Sequence, residues 1–191
     1  MTAARFVTLS ILTSVLSAQG PTHISPAAAV NGLGNVNNTL PFQNGNVHYQ
    51  QVHSASSWSN PAGVVVTQMS FRMARLGTGY TGPVVDMEAY MAQSPNSAVT
   101  ASSTFANNVL AGTEVNVFTR RLFNMPNLSD NPWQGTIPFD NPFLFPGNVD
   151  LSWRVQIWSN NVSTYVLDCF SDWRNGAITP FAGCQHPTGT R

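Results

Sequence analysis

The sequence predicts an all-β fold, an antiparallel two-sheet β-sandwich of jelly-roll type, on three observations. Apolar and polar residues alternate with a period of two along several segments. Turns rich in Gly, Pro and Asn separate those segments, and no long stretch sustains a helical period. Thirteen prolines and fourteen glycines in 191 residues interrupt any helix of length. The size suits a single domain able to bury a substantial core.

Residues 1–18 read as a signal peptide. Arg5 supplies the positive charge, FVTLSILTSVL the apolar run, and small residues a cleavage site after Ala18. That run is too short for a permanent membrane helix, and no second apolar stretch approaches the ~20 residues a span requires. The chain is therefore expected to be secreted or at the cell surface, without a membrane span. Residues 19–40 read as an irregular lead-in, with a short strand near Leu40 and Phe42, and residues 41–191 as one β-sandwich domain.

The first clear strand is VHYQQVH, from Val47. His48 and His53 lie an odd number of residues apart, so a strand aims them at opposite faces and they cannot share a metal. In GVVVTQMSFRMAR the pattern assigns Val65, Thr67, Met69, Phe71 and Met73 to one face, and Gln68, Ser70 and Arg72 to the other. VVDMEAYMA sets Val85, Met87, Ala89 and Met91 against Asp86, Glu88 and Tyr90. The segment TEVNVFTRRLF is noisier: Val115 and Val117 oppose Glu114, Asn116 and Arg120, while Phe118 and Leu122 break the alternation. VDLSWRVQIW is the cleanest, with Leu151, Trp153, Val155 and Ile157 dry and Asp150, Ser152, Arg154 and Gln156 wet. VSTYVLDCF supplies a last strand. The one helical candidate lies at residues 102–112.

Charge narrows the function. Eight arginines, no lysine and eight acids give zero formal net charge, and charged residues are only 8 % of the chain. Such a chain lacks the basic footprint of a nucleic-acid binder. No G-x-S-x-G, H-E-x-x-H or P-loop motif occurs, and nothing in the spacing of the acids selects a catalytic pair, so no enzymatic residue is assigned.

Four groups of residues carry the remaining chemistry. Cys169 and Cys184, with fourteen residues between them, read as a disulfide in an exported chain. Closing that loop would stabilise the fold by about 3 kcal/mol. Asp130 and Asp140, in Asn- and Pro-rich loops, offer the hard oxygens of a structural calcium site. The same residues also suit turn capping. No other cofactor is expected. Trp58, Trp133 and Trp173 fall in loop-like text and either fold back over the ends of the sandwich or stack on sugar rings, the latter making polysaccharide a candidate partner; self-association through a sheet edge is another. Asn37, Asn127 and Asn161 begin N-x-S/T sequons.

Several segments together resemble a family. YQQV at Tyr49–Val52, SFR at Ser70–Arg72 and SSTFANN from Ser102 are similar to motifs of uncharacterised secreted bacterial β-sandwich proteins, planctomycete-type. That group opens with a YQQVY-like strand. VFTRRLF, IPFDNPFLFPGNVDLSWRVQIW and YVLDCF resemble its closing half, so the likeness runs over roughly residues 41–170. It implies a jelly-roll domain outside the cytoplasm and no established activity. The expected function is a non-enzymatic binding or structural module of the cell exterior. The alternatives are a carbohydrate-binding domain using the loop tryptophans and a glycoside hydrolase.

Overall fold

The structure is a computed structural model. It describes residues 24–25, 27–30, 34, 36–38, 41–42, 45–58, 62–73, 79–128, 133–161 and 165–169. Eight strands occur among them: β1 (Val36–Asn38), β2 (Val47–His53), β3 (Val64–Phe71), β4 (Val84–Gln93), β5 (Val115–Asn124), β6 (Gly135–Phe145), β7 (Leu151–Asn160) and β8 (Leu167–Cys169). No α-helix occurs among the described residues, and none of their helical turns is long and apolar enough to cross a membrane. The helical candidate at 102–112 reduces to one 3-10 turn, Phe105–Asn108. Asn and Ser there bond to nearby backbone groups instead of extending the turn.

The fold is an all-β sandwich. One layer is the antiparallel sheet β2-β7-β4-β5; the other contains the pairs β1-β8 and β3-β6. An antiparallel bridge between Met73, just past β3, and Leu167 of β8 connects those two pairs. The pairings β1·β8, β2·β7, β3·β6 and β4·β5 are nested, as in one long hairpin wrapped over itself. The first strand begins upstream of the expected one: Val36–Asn38 pairs with β8, while Phe42 is a buried residue of the turn that follows.

The core lies between the layers. Trp153 of β7 stands edge-on to Phe71 of β3 with ring centroids 5.8 Å apart, and Trp58 meets Phe145 of β6 at 5.1 Å. Alternation holds along β4 and β7, where Val85, Met87, Ala89, Met91, Leu151, Trp153, Val155 and Ile157 are all buried. It fails in β3. The register steps from Val66↔Phe143 to Gln68↔Pro138, leaving Thr67 opposite the four residues Phe139 to Pro142. This bulge reverses the phase. Val64 and Val66 pack on the core before it and Met69 and Phe71 after it, so Val65 is 59 % exposed and Thr67 is also on the surface. The irregular pattern of β5 has a related cause, since register shifts against β4 bury both Val117 and Phe118.

A candidate binding face on the four-stranded sheet

Parity sends the two histidines of β2 to opposite sides of the sheet. His53 faces inward and is 6 % exposed. An indole N–H can only donate, so the 3.0 Å contact from Trp153 Nε1 makes His53 Nε2 an acceptor. The imidazole proton must then sit on Nδ1, where it donates to Ser25 Oγ at 2.7 Å. Ser25 passes a hydrogen bond to Ser57 Oγ at 2.8 Å, and Ser57 donates to the Ser54 carbonyl at 2.7 Å. Every link runs in one direction. Burial pushes the His53 pKa down to about 4, so the ring is neutral near pH 7. A serine nucleophile needs a histidine that accepts its proton; here the histidine donates to the serine. The chain instead ties the segment at Ser25 to the end of β2.

His48 faces outward. Its ring meets Phe105 edge-on at 4.8 Å, and Nε2 lies 3.4 Å from Arg154 Nη1. Desolvation, with help from the Arg154 charge, holds its pKa below the usual value. The loop between β4 and β5 covers part of this outer face. Gln50 donates to the Phe105 carbonyl and accepts from Asn108 Nδ2, and Val52, Ser152 and Ala92 are buried nearby. The rest of the face remains a shallow polar floor walled on one side by that loop.

Sheet register assembles this floor. His48, Gln156 and Glu88 form one cross-strand row; Gln50, Arg154, Tyr90 and Asn116 form the next. The Arg154 fork grips Glu114 through Nε at 2.8 Å and Nη2 at 3.1 Å, with its guanidinium 3.8 Å from the Tyr90 ring centroid. Tyr90 in turn donates to Glu88 at 3.1 Å. At the far end, β7 bulges between Ile157↔Met87 and Ser159↔Asp86, leaving Trp158 unpaired in the ladder and 39 % exposed. Arg120 lies over that ring at 4.1 Å and forms a two-point pair with Asp86 at 3.1 and 2.9 Å. Its hydrogen bonds hold the Asp86 carboxyl below the ordinary carboxylate range.

The residues singled out in the sequence are dispersed. Trp58 packs on His53 at 5.3 Å and on Phe145, while Trp133 lies under the Arg72 guanidinium at 5.0 Å. Trp58 sits by the Val64–Phe145 end of the β3-β6 pair and Trp133 by the Phe71–Gly135 end, so they do not form one platform. Trp173, Asp130 and Cys184 lie outside the described residues; Cys169 pairs in register with Val36 of β1. Asp140 accepts hydrogen bonds from the Thr119 amide, at 2.8 Å, and from Arg121. With Asn141 donating to the Asn116 carbonyl at 2.9 Å, these contacts clasp β6 to β5 and close one margin of the sandwich. Among the described residues no three His, Cys, Asp or Glu side chains converge as a metal set.

The outer floor is what sequence reading missed. Its polar members were visible as the wet phase of β4 and β7, but not their lateral order. No family model, no curated protein and no solved structure matches the chain.

Proposed function

We propose that this protein is a secreted, non-enzymatic β-sandwich of jelly-roll type, acting as a binding or structural module of the cell exterior. One observation carries the reading: five carboxylates are already engaged as structural acceptors. Asp86, Glu114 and Asp140 each bind an arginine, Glu88 accepts from Tyr90, and Asp150 accepts from the Ala55 amide at 2.6 Å. A hydrolase needs two carboxyl groups converging on a substrate, whereas of these five only Glu88 is held by neither an arginine nor a backbone amide.

The nested strand pairing supports the jelly-roll assignment. Export rests on the signal-like N-terminus and on the pair Cys169 and Cys184, which we assign as a disulfide. The likeness to planctomycete-type secreted sandwiches points the same way. Fractionation of the source cells with N-terminal sequencing tests the reading. The expected product lies outside the cytoplasm and lacks residues 1–18. Cytosolic protein with an intact leader would overturn it, and two free thiols in unreduced exported protein would remove the disulfide.

A further inference from the structure

The open outer face of β2-β7-β4-β5 has a specific chemistry. It is made of side chains, so a peptide strand added by backbone pairing would join the edge strands β2 or β5 and not this floor, and it is no apolar groove for a helix. What it presents is a row of planar hydrogen-bonding groups held flat. The guanidinium forks of Arg154 and Arg120 are fixed on Glu114 and Asp86, with Gln156 and His48 beside them. The Nε and Nη2 edges of both forks are taken up by the carboxylates, and their remaining N–H groups, with the Gln156 amide, can donate to hydroxyls. Arg154 covers one face of Tyr90 and Arg120 one face of Trp158; the exposed part of Trp158, in the same floor, can receive the C–H face of a sugar. Phe105 and His48 form the bounding wall.

Charge decides the kind of sugar. The floor holds Asp86, Glu88 and Glu114 against Arg120 and Arg154, three negative charges against two positive. Asp86 and Glu114 are neutralised by their arginines. Among the described residues Glu88 forms no arginine ion pair; it accepts from the Tyr90 hydroxyl and feels Arg120 and His48 only through longer-range attraction. Burial and the Arg154 charge hold the His48 pKa below its ordinary value, which disfavours a positive charge there that would offset it. An acidic glycan meets net repulsion there, whereas an ammonium group finds a carboxylate.

We propose that this floor binds a glycan lacking acidic groups, with an amine-bearing sugar favoured through Glu88. The assignment rests on the binding-module reading above and moves the contact surface from the loop tryptophans to the sheet.

The test uses the exported full-length protein in affinity electrophoresis through three probes: glucosamine oligomers, neutral glucose oligomers and polygalacturonate. Retention should be strongest on the glucosamine probe, weaker on the neutral one and absent on the acidic one. Trp158→Ala should weaken the first two about tenfold or more. Glu88→Gln, a near-isosteric surface change, should erase the preference for the amine while leaving neutral binding. Leu144→Ser, on the other sheet, should change nothing. Retention unaffected by both floor variants, retention lost in Trp133→Ala, or a preference for polygalacturonate would overturn the assignment. Exported protein that no probe retains would also overturn it, and would leave the exterior-module reading standing.

Discussion

The two faces of the β2-β7-β4-β5 sheet are drawn from the same strands, yet they use polar residues in opposite ways. On the inner face His53, Gln51 and Tyr49 are buried, and their polar atoms are spent inside the protein; Gln51 Nε2, for example, donates to Tyr49 Oη at 2.6 Å. On the outer face Arg154, Glu114, Arg120 and Asp86 pair with one another while keeping contact with water. The difference is one of dielectric. A buried polar group without a partner costs roughly 1–3 kcal/mol, whereas an exposed ion pair contributes ~0–1 kcal/mol. The inner network therefore supports stability, and the outer one is free to serve recognition.

The comparison breaks most readily at Trp153. Removing this side chain, 7 % exposed, vacates core volume and strips the donor from His53 Nε2. Trp153→Ala should cost about 3–5 kcal/mol in urea unfolding. A loss below ~1 kcal/mol would mean that the faces of β7 are reversed.

The pH dependence of stability probes the same network. His53 has an ordinary pKa of 6.5 and a folded value of about 4. Between those values the unfolded chain binds a proton that the folded chain refuses. Stability is therefore full above pH 6.5, declines as the pH falls toward 4 and stops declining on this account below it. The loss should approach about 3 kcal/mol. Unfolding midpoints measured from pH 7 to pH 4 should fall in the parent and flatten in His53→Asn. An equal slope in both would show that the ring is solvated.

Smaller effects should appear where charges meet water. Asp140→Asn removes the Arg121 pair from the β5-β6 clasp but leaves the Thr119 amide an acceptor, and should cost less than about 1 kcal/mol. The cost should shrink further at high salt, and a salt-independent cost would place the clasp among the buried contacts. Smallest of all is Val65→Thr, on the outer side of β3, expected within about 0.5 kcal/mol. A larger loss would restore Val65 to the core and remove the bulge at Thr67.

Much of this fold is legible in the chain where alternation is strict. Along Leu151–Ile157 and Val85–Met91 the apolar phase alone gives strand, face and core membership, because side chains of consecutive strand residues point to opposite sides. It gives the divergence of His48 and His53 for the same reason. Bulges are where such reading fails. Thr67, Phe118 and Trp158 sit at register shifts whose cause lies in a partner strand, so the local pattern misassigned Val65 and left Phe118 unexplained. The tryptophans were ambiguous: loop-like text around Trp58 and Trp133 suits a sugar platform or a cover over the sandwich ends, and packing on Phe145 and under Arg72 matches the second.

By itself, then, the sequence determined an all-β chain, the phase of its strictly alternating strands, a composition poor in charge, and the divergence of His48 and His53. Those properties depend on local geometry and composition. The tertiary structure alone decided which strands are neighbours, and with that the pairing of Arg154 with Glu114 forty residues away and of Arg120 with Asp86 thirty-four residues away. It also decided the direction of the proton chain through His53, whose donor lies one hundred residues along the chain. Register between distant strands depends on the packing of all of them together, and no window of sequence contains that information.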